Sequence, residues 1–142
     1  DGGNYRFNDI SAAIGIEQLK KLPEIIKVRR EHAAIYDTLL SNTPTLKPPQ
    51  TAKDHVYQTY AVLLDKKIDR DLVIRKLIAK GIETQIGTYA LHLLPKFNRL
   101  KRWTNLANST TLANGLLALP MAYDLTFDDQ QTVVSELKNA IS

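Results

Sequence analysis

The hydrophobic positions of this chain first recur with a helical period. From Asn8 or Asp9, either of which can cap a first turn, "ISAAIGIEQLKKL" returns an apolar residue every three or four positions. Pro23 interrupts this pattern, which then resumes as far as Leu40. The spacing therefore predicts either one long kinked helix or two helices that meet at a corner. The predicted apolar face begins with Ile10, Ala13 and Ile14.

The middle of the chain alternates extended and helical patterns. Residues 41–55 contain three prolines and predict a surface connection. The stretch "VYQTYAVLL" is rich in β-branched and aromatic residues and ends continuously apolar, which predicts a strand buried on both faces. Asp69 then caps a helix that Gly81 closes, and a strand "IETQI" follows. The predicted apolar face of this helix consists of Leu72, Ile74, Leu77 and Ile78.

The last third of the chain completes the pattern. The segment "GTYALHLLPKFNRL" is irregular, and its mixture of residues fits either the wall of a pocket or a packed crossover loop. A helix that stops near Gly115, a short apolar strand that ends at Pro120 and a final helix capped by Thr126 follow. This order predicts a single α+β domain over residues 1–142. In it, a small mixed or antiparallel sheet is covered on one face by helices and preceded by the long kinked helix.

The composition excludes several classes of function. With 44% hydrophobic and 24% charged residues, the 142-residue chain is expected to fold around a core. Its net charge of +4 comes without an evident basic patch, so we predict no nucleic-acid binding. The lack of cysteine excludes disulfides, thiolate catalysis and cysteine-bound metals. Neither a leader nor a long apolar run is evident, so we expect a cytoplasmic protein that does not span a membrane.

General catalytic signatures are also missing from the sequence. It contains no GxxxxGK[ST] phosphate loop, no GxSxG elbow and no HExxH pair. The three histidines, His32, His55 and His92, lack a ligand spacing, so we predict no metal site. Asp128 and Asp129 lie in the first turn of a helix, where the helix dipole explains them. The charged run "KVRREH" is interpreted as the solvated face of a helix.

The residues ahead of the first helix allow two interpretations. Gly2 and Gly3 permit a close approach of the backbone, and Asn4 and Arg6 can donate hydrogen bonds to an anion at the helix N-terminus. Alternatively, Asn4 and Asn8 only shape a turn and cap the helix.

Four stretches of the sequence together resemble a known family. They are "GGNYRFNDISAAIGIEQLKKLPEIIKVRREHAAIYDTLL", "HVYQTYAVLL", "RDLVIRKLIAKGIETQIGTYALHLLPKF" and "LALPMAYDLTFDDQQTVV". In register over the whole chain, they are similar to the C-terminal part of the DegT/DnrJ/StrS family. Members are pyridoxal-phosphate-dependent aminotransferases of fold type I that act on nucleotide-linked keto sugars. The resemblance implies the C-terminal small domain of such an enzyme.

The resemblance also assigns roles to individual residues. It implies that Asn4 donates to the cofactor phosphate of the neighbouring subunit, so that a homodimer shares its active sites. It places Tyr89 and His92 on the substrate side, near the sugar nucleotide. Gln85 stands where many members carry arginine, and "IGTYA" replaces a proline-rich turn, so the identity of the sugar is not implied.

The family's cofactor lysine lies upstream of the stretch that resembles these residues. The resemblance therefore implies that the chain is a fragment whose residues 1–8 reach the active site, and that none of its residues is catalytic. Lys20, Lys21 and Lys27 lie on the helix that follows the matching stretch and do not correspond to the cofactor lysine. We expect amino transfer, with glutamate as donor, from the full-length enzyme and none from the isolated chain.

Two other functions remain open at this stage. One is a free-standing α+β module that binds an anion at its first helix. The other is a domain that serves only dimerisation through the apolar face of that helix. Binding of a phosphate or nucleotide by a strictly monomeric chain would favour the first of these, and self-association would favour the second.

Overall fold

The computed structural model describes residues 6–50, 52–97, 99–100 and 104–142. Within these residues the helices are α1 (Asp9–Leu40), α2 (Arg70–Ile78), α3 (Ala107–Gly115) and α4 (Phe127–Ile141), with a 3-10 turn at Leu91–Leu93. The strands are β1 (Leu46–Lys47), β2 (Tyr60–Leu64), β3 (Gln85–Ile86) and β4 (Leu116–Leu119). Apart from β1, this is the predicted order of elements.

The strands form one antiparallel sheet in the order β1-β2-β4-β3. In its central pair, Tyr60 lies opposite Leu119 and Val62 opposite Leu117. These four side chains are buried and share one face of the sheet with Leu64. Helices α1, α2 and α4 cover that face, and their buried residues join the strands in one core. The predicted α+β fold is therefore confirmed, and all the strand pairings described are antiparallel.

The first helix continues through Pro23. Helix α1 contains 32 residues, so the alternative of two separate helices is wrong. A proline removes one backbone donor, and the hydrogen bonds on either side of it can continue the helix. The two halves differ in burial, because the buried residues His32, Ala33, Tyr36 and Leu40 all follow Pro23. The predicted apolar face at the start of the helix lies uncovered in this chain: Ile10 is 76% and Ile14 60% exposed.

The predicted helix ends are confirmed by their hydrogen bonds. The Asn8 side chain accepts from the Ser11 N–H at 2.8 Å, and the Asp69 carboxylate accepts from the first turn of α2. Thr126 and Asp129 form a reciprocal capping box at the start of α4. Gly81 follows α2 with a φ of +76°, a conformation that costs glycine little.

Basic side chains bind the carbonyl ends of three helices. Lys138 Nζ donates to the Leu39 carbonyl at 3.1 Å, and Lys76 Nζ donates to the Ala140 carbonyl at 2.8 Å. In the same way, the Arg70 guanidinium donates to the Ala113 carbonyl in α3. Each cation lies at the negative end of a neighbouring helix, where both its charge and its N–H groups are favourable. Each bond ties the C-terminal end of one helix to a side chain of another helix.

Three expectations about residues 41–64 are wrong. Leu46, inside the expected surface connection, is only 4% exposed because β1 pairs with the end of β2. Strand β2 itself begins at Tyr60, four residues later than Val56, after Tyr57 has adopted a φ of +46°. Its burial alternates between buried and half-buried residues, so it is fully covered on one face and not on both. Among the described residues, helices α1, α2 and α4 lie on the fully covered face.

Two expectations about helix faces are also corrected. In α2 the buried residues are Val73 and Leu77, whereas Leu72 and Ile78 are 43% and 56% exposed. His32, within the run expected to be solvated, is 8% exposed, and its carbonyl accepts from Gln130 Nε2 of α4 at 2.9 Å. Packing of α2 and α1 against α4 selects which apolar or polar positions become buried.

Candidate functional site

The residue predicted to bind the cofactor phosphate, Asn4, lies outside the described residues. The segment that follows it is described from Arg6 onward and leads into α1. The Phe7 ring, 73% exposed, lies beside Gly15, where a Cβ would be 3.9 Å from Phe7 Cζ. The Phe7 ring therefore lies over the second turn of α1.

The start of α1 is capped by the chain itself. The Asn8 side chain binds the Ser11 N–H and the Asn8 carbonyl accepts from the Ala12 N–H. Asp9 adds a carboxylate in the first turn, which also complements the positive end of the helix. The capping interpretation is therefore confirmed for Asn8, whereas the proposed role of Asn4 stays a prediction.

The two residues predicted to face the substrate lie in the loop after β3. Tyr89 is 71% exposed and lines an opening of about 420 Å³ together with Gln85 and Arg75. His92 is held instead by α3, because its Nε2 lies 3.0 Å from Thr110 Oγ1. The Thr110 hydroxyl donates its own proton to the Leu106 carbonyl at 3.1 Å, which makes the His92 Nε2–H the donor between them.

A larger opening lies on the other side of β3. It has a volume of about 690 Å³ and is bounded by residues 80–85, by residues 118–122 and by the start of α4. We call this opening the edge cleft. Gln58 and Thr59 also line it, and Thr84 and Gln85 line both this opening and the smaller one beside Tyr89. The site predicted around Tyr89 therefore adjoins a second, larger space.

Thr84 is the residue of this region that sequence reasoning missed. Its side chain is 5% exposed, and its Oγ1 is buried without a hydrogen-bond partner in the structure. The alternation in "IETQI" contains the signal, because Ile82 and Thr84 are buried while Glu83 and Gln85 are exposed. The pattern could place Thr84 on the inward face, but it carried no information about the missing partner.

The lysines of α1 do not lie in the kind of environment that activates a cofactor lysine. Lys20 Nζ lies 2.6 Å from Glu17, and Lys27 Nζ lies 3.8 Å from Glu24. Both side chains are about two-thirds exposed. Lys21 lines a groove of about 440 Å³ between α1 and the β4–α4 connection. A lysine that condenses with a carbonyl is usually desolvated or set beside another cation, whereas Lys20 and Lys27 are exposed and lie beside carboxylates.

The first half of α1 presents an apolar surface. Phe7, Ile16, Leu19 and Leu22 line a groove of about 580 Å³ along this half of the helix. Exposed apolar groups in such a row indicate a surface that another protein segment covers. None of the helices in the described ranges has the length and apolar character needed to cross a membrane.

Comparisons with known proteins agree on one family. The model of the DegT/DnrJ/EryC1/StrS aminotransferase family matches residues 1–138. The dTDP-4-dehydro-2,3,6-trideoxy-D-glucose 4-aminotransferase of Saccharopolyspora spinosa is 36% identical over 137 residues, which cover 94% of this chain and 34% of that protein.

Two solved structures have the same fold. The aminotransferase TlmJ from Streptoalloteichus hindustanus superimposes with a TM-score of 0.85 at 31% identity, over 98% of this chain and 38% of that one. Helicobacter pylori PseC, an aminotransferase involved in the biosynthesis of pseudoaminic acid, superimposes with a TM-score of 0.88 at 24% identity. That match covers 99% of this chain and 39% of PseC, so the chain spans between a third and two fifths of these proteins. The chain belongs to the DegT/DnrJ/EryC1/StrS aminotransferase family.

Proposed function

We propose that this chain is the C-terminal domain of a pyridoxal-phosphate-dependent aminotransferase that transfers an amino group to a nucleotide-linked keto sugar. The observation that carries the proposal is the family match, which runs over residues 1–138. The relative from Saccharopolyspora spinosa is named as an aminotransferase of a dTDP-linked dehydro sugar, which supports this substrate class.

In this proposal the chain contributes one residue to the cofactor site, and the rest of that site lies elsewhere in the full-length protein. Lys20 and Lys27 are exposed and paired with carboxylates, which supports the assignment of the cofactor lysine to another part of the protein. When bound, pyridoxal phosphate supplies the electron sink for amino transfer. This chain's part is to place Asn4 as an amide donor to the phosphate of the neighbouring subunit, in a homodimer with shared sites. We propose that the Phe7 ring, which lies beside Gly15, helps to direct the segment that precedes it.

The substrate side is assigned to the loop after β3. Tyr89 is exposed at an opening, where its ring and hydroxyl can contact a ligand. His92 is oriented by Thr110, so its ring has a defined position when a sugar nucleotide binds nearby. We assign both residues to substrate binding and neither to proton transfer. Glutamate is the proposed amino donor.

The test compares the full-length protein that carries this chain with the 142-residue chain alone. Each is purified from a host lacking its own sugar aminotransferases and incubated with pyridoxal phosphate, glutamate and a dTDP-linked or UDP-linked keto sugar. We expect the amino sugar, detected by mass spectrometry, from the full-length protein and none from the chain alone. Transfer by the chain alone would refute the assignment of the cofactor lysine to another segment, and lack of transfer by the full-length protein would refute the proposed function.

The exposed apolar half of α1 favours one alternative, a dimerisation module. In that case the chain alone would self-associate and would neither bind a sugar nucleotide nor carry out transfer in any form. The oligomeric state of the chain alone, and of its Ile16→Glu, Leu19→Glu variant, is measured by sedimentation to distinguish this module from the aminotransferase domain. Restored monomers together with an inactive full-length protein would support the module.

A further inference from the structure

The backbone turns sharply just before strand β2. Tyr57 has a φ of +46°, a left-handed conformation that is rare for a bulky residue and costs free energy. Its side chain is buried, and its ring stacks on that of Tyr60 with 6.3 Å between the ring centroids. Strained residues of this kind persist where the surrounding structure holds them, and they cluster at functional sites.

His55 holds this turn. The Tyr57 N–H donates to His55 Nδ1 at 3.0 Å, and the two rings pack with their centroids 4.2 Å apart. Because Nδ1 is the acceptor, it carries no proton, and the neutral imidazole has its hydrogen on Nε2. Arg30 Nε of α1 donates to the His55 carbonyl at 3.0 Å, so the same residue is also tied to the helix.

The left-handed residue changes which side chains face outward. In a regular strand neighbouring side chains point to opposite faces, so a buried Tyr60 would put Gln58 on the inner face and Tyr57 on the outer one. In the structure Tyr57 and Tyr60 are both buried, and Gln58 and Thr59 between them are both exposed. The turn therefore exposes two consecutive polar side chains.

Gln58 and Thr59 act as a pair at the edge cleft. Both line this opening of about 690 Å³, and the Thr59 hydroxyl donates to Gln58 Oε1 at 3.0 Å. That bond uses the acceptor of the amide, so its two N–H groups are the donors that the pair can offer to a ligand. The edge cleft shares Gln85 with the opening beside Tyr89, so the pair lies next to the predicted substrate side.

We propose that His55 is a positioning residue for substrate binding. Its neutral Nδ1 holds the turn at Tyr57, and the turn places the Gln58 amide and the Thr59 hydroxyl where they contact the bound substrate. His55 itself acts indirectly, since its Nδ1 and its carbonyl are bonded within the protein. The proposal rests on the proposed function, because the ligand is the nucleotide-linked substrate assigned to the neighbourhood of Tyr89.

Two substitutions separate the acceptor of His55 from its ring. His55→Leu keeps an apolar side chain against the Tyr57 ring and removes the acceptor. His55→Asn removes the ring and keeps an acceptor, because an asparagine oxygen can bind the N–H two residues further along the chain. Isothermal titration calorimetry of the full-length protein measures the Kd of dTDP-glucose and of UDP-glucose. For whichever binds more tightly, we expect the Kd to rise about three- to tenfold in His55→Leu and to stay near the wild-type value in His55→Asn.

A second comparison tests the route through Gln58 and Thr59. The double variant Gln58→Ala, Thr59→Val should raise the Kd at least as much, and adding His55→Leu to it should cause no further rise, because the side chains that His55 positions are gone. Gln131→Ala, an exposed glutamine of α4, is the matched control and should bind like the wild type. Wild-type binding by the double variant would overturn the proposal even if His55→Leu does not fold, and so would a full additional effect of His55→Leu.

Hydrogen exchange followed by mass spectrometry reports on the turn itself. The peptide that covers residues 55–60 should exchange faster in His55→Leu than in the wild type and in His55→Asn. Unchanged exchange in His55→Leu, or equally weakened binding in both His55 variants, would overturn the proposal.

Amino transfer is measured on the same proteins to keep the two proposals apart. Transfer by a wild type whose binding is unaltered in His55→Leu would refute the positioning role alone. Lack of transfer by a wild type whose binding is weakened in His55→Leu and restored in His55→Asn would refute the proposed function alone. Failure of the wild type to bind either nucleotide sugar would overturn both.

Discussion

The Tyr60 hydroxyl donates a hydrogen bond of 2.6 Å to the Asp37 carboxylate and so joins β2 to the buried half of α1. The Tyr36 ring, with its centroid 5.1 Å from that of Tyr60, packs beside this bond, and its own hydroxyl donates to the Pro120 carbonyl. Both tyrosine hydroxyls therefore fasten α1 to the sheet from inside the core.

This arrangement predicts a loss of stability at high pH. Burial, more than any other cause, raises the pKa of Tyr36 and of Tyr60 above the usual value of about 10. In the unfolded chain these hydroxyls lose their protons near pH 10, while the folded state keeps them, so deprotonation favours unfolding. We expect these two groups to leave the free energy of unfolding unchanged between about pH 7 and 9 and to lower it as pH rises above about 10, measured by urea denaturation.

Substitutions test the origin of that fall. Tyr60→Phe should reduce its steepness and lower stability at neutral pH by about 1–2 kcal/mol, because the Asp37 carboxylate loses its donor. Tyr123→Phe is the matched control, because Tyr123 is 60% exposed and should leave both quantities unchanged. An identical pH profile in Tyr60→Phe would contradict this account.

Lys138 is predicted to stabilise the end of α1. Lys138→Met keeps most of the alkyl chain and removes the charged donor to the Leu39 carbonyl. The expected loss in the free energy of unfolding is about 1–2 kcal/mol, since a charged hydrogen bond and its interaction with the helix end are lost together. Lys66→Met, on an exposed turn, should change stability by less than about 0.5 kcal/mol. Equal effects of the two substitutions would exclude this role for Lys138.

Two substitutions of Gly15 are predicted to change helix stability and cofactor binding independently. Gly15→Ala should stabilise α1 by about 0.5–1 kcal/mol, because the added Cβ would lie at an ordinary contact distance of 3.9 Å from Phe7. Gly15→Leu should displace the Phe7 ring and weaken retention of pyridoxal phosphate in the full-length protein, measured by absorbance after dialysis. Cofactor retention at the wild-type level in Gly15→Leu would show that Phe7 does not direct the preceding segment.

Asn4→Ala tests the proposed phosphate contact. An amide bond to a charged phosphate contributes about 1.5–3 kcal/mol. Its loss should therefore weaken cofactor affinity in the full-length protein about ten- to a hundredfold. Asn42→Ala, on the exposed turn after α1, is the control and should bind the cofactor normally. Wild-type cofactor affinity in Asn4→Ala would remove Asn4 from the site.

Helix ends were predictable because their chemistry is local. Asn8, Asp69 and Thr126 each bind a backbone N–H within three residues along the chain. Gly81 takes its φ of +76° directly after the last turn of α2. Such signals need only a short stretch of sequence, so the pattern of residue types contains them.

Burial of single positions was less predictable. Leu46 is buried through pairing with Leu64, 18 residues further along the chain, and His32 is covered by contact with Gln130, which lies 98 residues away. A proline-rich connection and a charged run predicted exposure at both places. Local composition carries no information on which distant element will cover a given side chain.

By itself the sequence determined the family, the helix caps and, apart from β1, the order of the helices and strands, while the assignment of Tyr89 to the substrate side stays a prediction. Only the tertiary structure decided that Thr84 keeps a buried, unpartnered hydroxyl at the edge cleft, and that the first half of α1 lies uncovered. The physical reason is the range of the interactions. Propensity and capping act within one helical turn, whereas the cleft depends on where β3 and β4 cease to pair, a contact between residues more than 30 positions apart in the chain.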